Sequence, residues 1–94
     1  MPYVLIHHNV IDYEKFRAVF DDDAERRRRF GCRGGRLFRS TVGSNDLFAL
    51  FEWDTLDNAK RFIDDYETGE AFEWVLPVEE VRAFALEEVD SVPV

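Results

Sequence analysis

The chain has 94 residues, a length that suits one domain over residues 1–94 and leaves no room for a second core. Hydrophobic residues make up 46% of it and aromatic residues 15%, too much large apolar side chain for a disordered polymer. Acids outnumber bases by 20 to 12, for a formal charge of −8, so phosphate backbones are repelled and no nucleic-acid partner is expected. The single cysteine, Cys32, excludes an internal disulfide and any Cys-rich zinc site. No apolar run approaches the ~20 residues of a spanning helix, so no membrane partner is expected. Met1-Pro2-Tyr3 leads straight into the first predicted element without a signal-peptide pattern, and a cytoplasmic location is the expectation.

Tyr3 to His8 is a short apolar run containing β-branched Val4 and Ile6, which predicts a strand ending in two imidazoles. Asp12 is a good N-cap for the stretch that follows, where Tyr13, Phe16, Phe20, Ala24 and Arg27 recur every three or four residues. That spacing predicts one amphipathic helix reaching Gly31, a C′ residue, with Asp22–Arg26 and Asp23–Arg27 pairs on its polar side. The run Arg26 to Arg29 reads as a solvated helix face rather than a basic binding patch. Arg36 to Val42 predicts a second strand, entered through Gly34-Gly35, and Leu47 to Trp53 a third, joined by the turn cluster Gly43 to Asp46. Asp54 or Thr55 caps a second helix whose buried stripe is Leu56, Ala59, Phe62, Ile63 and Tyr66. Thr68-Gly69 breaks it, Glu70 to Leu76 can add further turns, and Val81 to Leu86 predicts a fourth strand.

The order βαββαβ is the ferredoxin-like α+β arrangement, a four-stranded antiparallel sheet with two helices on one face. Side chains alternate along a strand, so the other face can be read too. Tyr3, Leu5 and His7 oppose Val4, Ile6 and His8 in the first strand, and Leu47, Ala49, Phe51 and Trp53 oppose Phe48, Leu50 and Glu52 in the third. Ala83 and Ala85 oppose Phe84 and Leu86 in the fourth. Both faces are therefore largely apolar, yet the helices can cover only one. A second copy, sheet against sheet, is the expected cover, closing a dimeric α/β barrel.

Gly31-Cys32 before the second strand and Phe51-Glu52-Trp53-Asp54 leading into the second helix resemble the dimeric α/β barrel superfamily. The segments Val4 to His8 with Asp12-Tyr13, Gly31 to Phe38, and Phe84 to Val89 resemble its antibiotic-biosynthesis-monooxygenase-like and small cyclase-like members. The resemblance implies a homodimer with a cleft between each sheet and its own helices. It implies aromatic or polyketide-like substrates, which some members oxidise with dioxygen without metal or flavin, while others degrade haem, isomerise or cyclise. Many monooxygenase and haem-degrading members carry a histidine in the second helix. Here the corresponding place holds Phe62, and residues Thr55 to Leu76 contain no histidine, so haem ligation from that helix has no support.

His7 and His8 are the only histidines, and imidazole titrates where a general base for a phenol or enol must work, so they are the catalytic candidates. The alternative is a strand end with its two rings on opposite sides, one wet and one packed. Opposite-facing ligands do not converge on one ion, so no metal site is expected, and no motif asks for a cofactor. Arg36 or Arg39 could place a guanidinium in the cleft to hold a carboxylate or enolate, against surface ion pairing as the alternative. Trp53, Tyr66, Phe72 and Trp74 are candidates to line an aromatic-accepting pocket, against ordinary core. The segment Thr68 to Glu80 could act as a lid. Cys32 reads as a buried structural thiol. Two functions stand: a cofactor-independent monooxygenase- or cyclase-like enzyme acting on a small aromatic or polyketide-like molecule, and a non-catalytic module for ligand binding or dimerisation.

Overall fold

The computed structural model describes residues 1–10, 12–43, 45–68 and 81–93, without the side chains of 66–68 and 81. Four strands, β1 (Pro2–Asn9), β2 (Cys32–Arg39), β3 (Asp46–Trp53) and β4 (Val81–Glu87), form one antiparallel sheet in the order β2-β3-β1-β4. Three helices, α1 (Tyr13–Asp22), α2 (Ala24–Phe30) and α3 (Leu56–Thr68), accompany it. The expected ferredoxin-like α+β arrangement is the observed one. The expected further turns and lid between Gly69 and Glu80 lie outside the described residues.

One long helix was expected between Asp12 and Gly31, and the structure breaks it at Asp23. Three consecutive aspartates repel one another and are weak helix formers. Asp23 settles at φ −83°, ψ −3°, ending α1 and starting α2. Its carboxylate accepts from Arg26 Nε at 2.8 Å and Nη2 at 3.1 Å, so Arg26 turns toward Asp23 and, across to α3, toward Asp65. Asp12 caps α1 by accepting from the Lys15 amide, and Thr55 Oγ1 accepts from the Asn58 amide at the start of α3.

The second strand starts four residues earlier than the sequence suggests. Gly31 ends α2 at φ 114°, where a Cβ would collide with the Asp54 carboxylate, and its carbonyl accepts from the Asp54 amide. Gly34, at φ 135°, then absorbs a register shift against β3, so the chain pairs from Cys32 onward. The same strand stops early. Ser40 Oγ accepts from the Val42 and Gly43 amides, which draws Thr41 and Val42 into the turn.

The helix-side core contains Val4 and Ile6 of β1, Ala49, Phe51 and Trp53 of β3, and Ala59, Phe62 and Ile63 of α3. A smaller cluster of Val10, Phe16 and Leu47 seats α1. Trp53 is fully buried: its ring centroid lies 4.7 Å from that of Phe62, and its Nε1 donates to the Phe30 carbonyl at 2.9 Å. On the helix-free face the register sets Leu5 between Leu50 and Phe84, Tyr3 opposite Leu86, and Phe38 opposite Phe48. Those side chains are only partly covered: Phe38 is 48% exposed and Phe84 46%. No described helix is long and apolar enough to cross a membrane.

Candidate functional site

A cleft of about 460 Å3 opens between α1–α2 and the edge strand β2. Phe20 of α1, Leu37 of β2 and Phe51 of β3 supply its apolar lining. Among the described residues its charged lining is Arg17, Arg27, Arg28, Arg33, Arg36 and a single acid, Asp21. The local geometry explains how arginines come to face one another. The αL turn at Gly31 reverses the chain directly from α2 into β2, so cations of the helix end and cations of the strand entrance lie across one gap. Glycines 34 and 35 also line it and bring no side chain to fill it.

Arg27 is the residue that sequence reasoning misplaced. It is not on a solvated face: it is 7% exposed, its Nη1 donates to the Phe20 carbonyl at 2.8 Å, and its guanidinium lies over the Phe20 ring at 4.1 Å and the Phe51 ring at 5.1 Å. Asp23 sits 3.9 Å away. The signal was present, because Arg27 falls seven residues after Phe20 on the apolar stripe of the helix. An arginine there is either misplaced or packed, and this one is packed. Cys32 likewise differs from the buried structural thiol expected. It is half-buried, lines the cleft, and burial pushes its thiol above the ordinary cysteine range.

The two histidines are divided by the sheet. His7 lies on the helix-free face, stacked on Phe48 at 4.6 Å, with Nε2 3.0 Å from Asp46 Oδ1. His8 is fully buried on the helix side, edge-on to Phe16 at 4.9 Å. Burial first, and the charge of His7 second, lower the His8 pKa from 6.5 to about 4, so it is neutral at neutral pH. Neither ring lines the cleft.

Of the other candidates, Arg36 lines the cleft and also a smaller groove of about 200 Å3 beside Tyr3, Leu50 and Glu52 on the helix-free face. Arg39 lies over the Tyr13 ring at 4.8 Å and does not line the cleft. Trp53 is held in the core beside Phe62 and does not reach it. The Tyr66 side chain, Phe72 and Trp74 lie outside the described residues. Among the described residues, no three His, Cys, Asp or Glu side chains gather as metal ligands do.

No protein-family model matches the sequence, and no curated protein matches it either. Solved structures do match along almost the whole chain. One, provisionally named an antibiotic biosynthesis monooxygenase from Deinococcus radiodurans, is 14% identical with a TM-score of 0.72, over 100% of this chain and 98% of the other. SnoaB, a cofactor-independent oxygenase from Streptomyces nogalater, is 15% identical with a TM-score of 0.73, over 99% and 97%. An MhuD variant with two manganese protoporphyrin IX molecules bound per active site is 15% identical with a TM-score of 0.69, over 100% of both chains. The βαββαβ sheet and its helix layer thus share the fold of the antibiotic biosynthesis monooxygenase structures.

Proposed function

We propose that the protein is a small monooxygenase-like homodimer that binds a flat aromatic or polyketide-like molecule in the α1–α2/β2 cleft and oxidises it with dioxygen. The observation that carries this reading is the cleft itself, apolar beneath and cationic at the rim. A phenol or enol seated on Phe20 and Phe51 meets guanidinium groups that favour its anion, and it is the anion that is rich enough in electrons to reduce dioxygen. The step balances without an added reductant: an activated methylene and O2 give a ketone and water, the methylene supplying all four electrons that reduce O2 and both protons of the water. No proton transfer is assigned to His7 or His8 in this reading, since both lie outside the cleft. The partly exposed apolar face supports the homodimer, because a second copy offers that surface a matching one.

The test is oxygen uptake with a panel of polycyclic quinols and phenols. One dioxygen consumed per substrate is expected, with kcat/KM lowered about ten- to a hundredfold in Arg36→Ala and partly restored in Arg36→Lys. Equal rates in wild type and Arg36→Ala contradict the assignment of the cleft. A second reading, binding without turnover, is favoured by the absence of any histidine from the cleft lining. It predicts a thermal shift with such ligands and no oxygen uptake.

A further inference from the structure

Among the described residues, the cleft gathers half of the chain's ten arginines against one aspartate, in a protein whose net charge is −8. Two of the five are engaged nearby: Arg17 with Asp21 at 2.8 Å, and Arg27 with the Phe20 carbonyl. Arg28 on α2 and Arg33 and Arg36 on β2 are exposed and make no ion pair with any described residue. Like charges placed across one gap repel, and acids to neutralise them are plentiful elsewhere on the chain. An arrangement that concentrates the cations here is relieved by a ligand that brings negative charge. One carboxylate saturates a single bidentate guanidinium. Arginines from two facing elements, Arg28 of α2 and Arg33 of β2, instead match a group with three oxygens and about two negative charges.

Resting on the reading of this cleft as the ligand site, we propose that it binds a flat aromatic molecule bearing a phosphate-type dianion. The ring lies on Phe20 and Phe51 beside the Arg27 guanidinium, and the dianion sits between Arg28 and Arg33 at the rim. The volume of about 460 Å3 accommodates a two-ring aromatic with its charged group.

Calorimetry with 2-naphthyl phosphate, 2-naphthoate and 2-naphthol tests this, read alongside the rate at which iodoacetamide alkylates Cys32, the half-buried thiol in the same cleft. The phosphate is expected to bind about tenfold tighter than the carboxylate and more tightly still than the neutral phenol, and to slow Cys32 alkylation. Arg28→Ala and Arg33→Ala, both exposed positions, are expected to weaken the phosphate about tenfold each and to leave 2-naphthol nearly unchanged. Equal affinity for phosphate and carboxylate overturns the proposal, as does phosphate binding that leaves Cys32 alkylation unaffected, or no binding of the phosphate. Turnover of neutral phenols without a preference for the dianion overturns this inference and leaves the oxygenase reading standing. Phosphate binding without any oxygen uptake does the reverse.

Discussion

The two faces of the sheet are built from similar apolar residues and meet opposite fates. On the helix side Val4, Ile6, Ala49 and Trp53 are sealed beneath Phe62 and Ala59. On the other side Leu5, Leu50, Phe48, Phe38, Phe84 and Leu86 form a second apolar patch, bordered by His7, Arg36, Glu52 and Arg82, with Phe84 and Phe38 close to half exposed. A face with no further role has no physical reason to be this apolar, because polar residues there stabilise the separated chain in water. The difference teaches that one side of the sheet holds the chain together, while the other leaves apolar side chains for the proposed second copy to cover.

Substitutions matched across the sheet sharpen that contrast. Trp53→Ala removes a fully buried ring and the hydrogen bond to the Phe30 carbonyl, and should destabilise the chain by about 3–5 kcal/mol in urea denaturation. A loss below about 1 kcal/mol would mean that the helix side is not the core.

The next effect in size is a pH dependence confined to the helix side. His8 is held neutral with a pKa near 4, against 6.5 when unfolded, so the unfolded chain takes up the proton first as pH falls. The stability this group contributes is complete above pH 6.5 and is lost as pH falls toward 4. By pH 5 the loss should be about 2 kcal/mol. Thermal unfolding of His8→Leu should show a flatter profile than wild type between pH 7 and 5, and identical slopes would contradict the burial argument. The smallest effect on the fold itself is expected from Phe84→Glu on the open face. It should change the stability of the single chain by less than about 1 kcal/mol, with an unchanged far-ultraviolet circular dichroism spectrum.

Much of this was legible in the sequence, for reasons that can be stated residue by residue. The βαββαβ order of elements follows from the switches between a period of two and a helical period. The alternation that puts His7 and His8 on opposite sides, and apolar residues on both faces, follows from the period of two in β1 and β3. The start of β2 was not legible, because Gly34-Gly35 looks like a loop until the positive φ of Gly34 is seen to absorb a register shift. The break at Asp23 was hidden because the apolar stripe runs on through it from Phe20 to Arg27. The cleft was least visible of all. Its walls come from residues 17 to 37 and from Phe51, and whether Arg27 points to water or across Phe20 depends on where Phe51 arrives from β3. The expected aromatic lining shows the same dependence. Trp53 is apolar enough for a pocket wall, but its neighbour Phe62 on α3 claims it for the core.

The uneven treatment of the two faces is tested most directly by sedimentation velocity of the purified chain at micromolar concentration. The account predicts a species of twice the mass of one chain, which Phe84→Glu converts to a folded species of single mass. A wild-type protein that stays folded and sediments as a single chain at that concentration would contradict it.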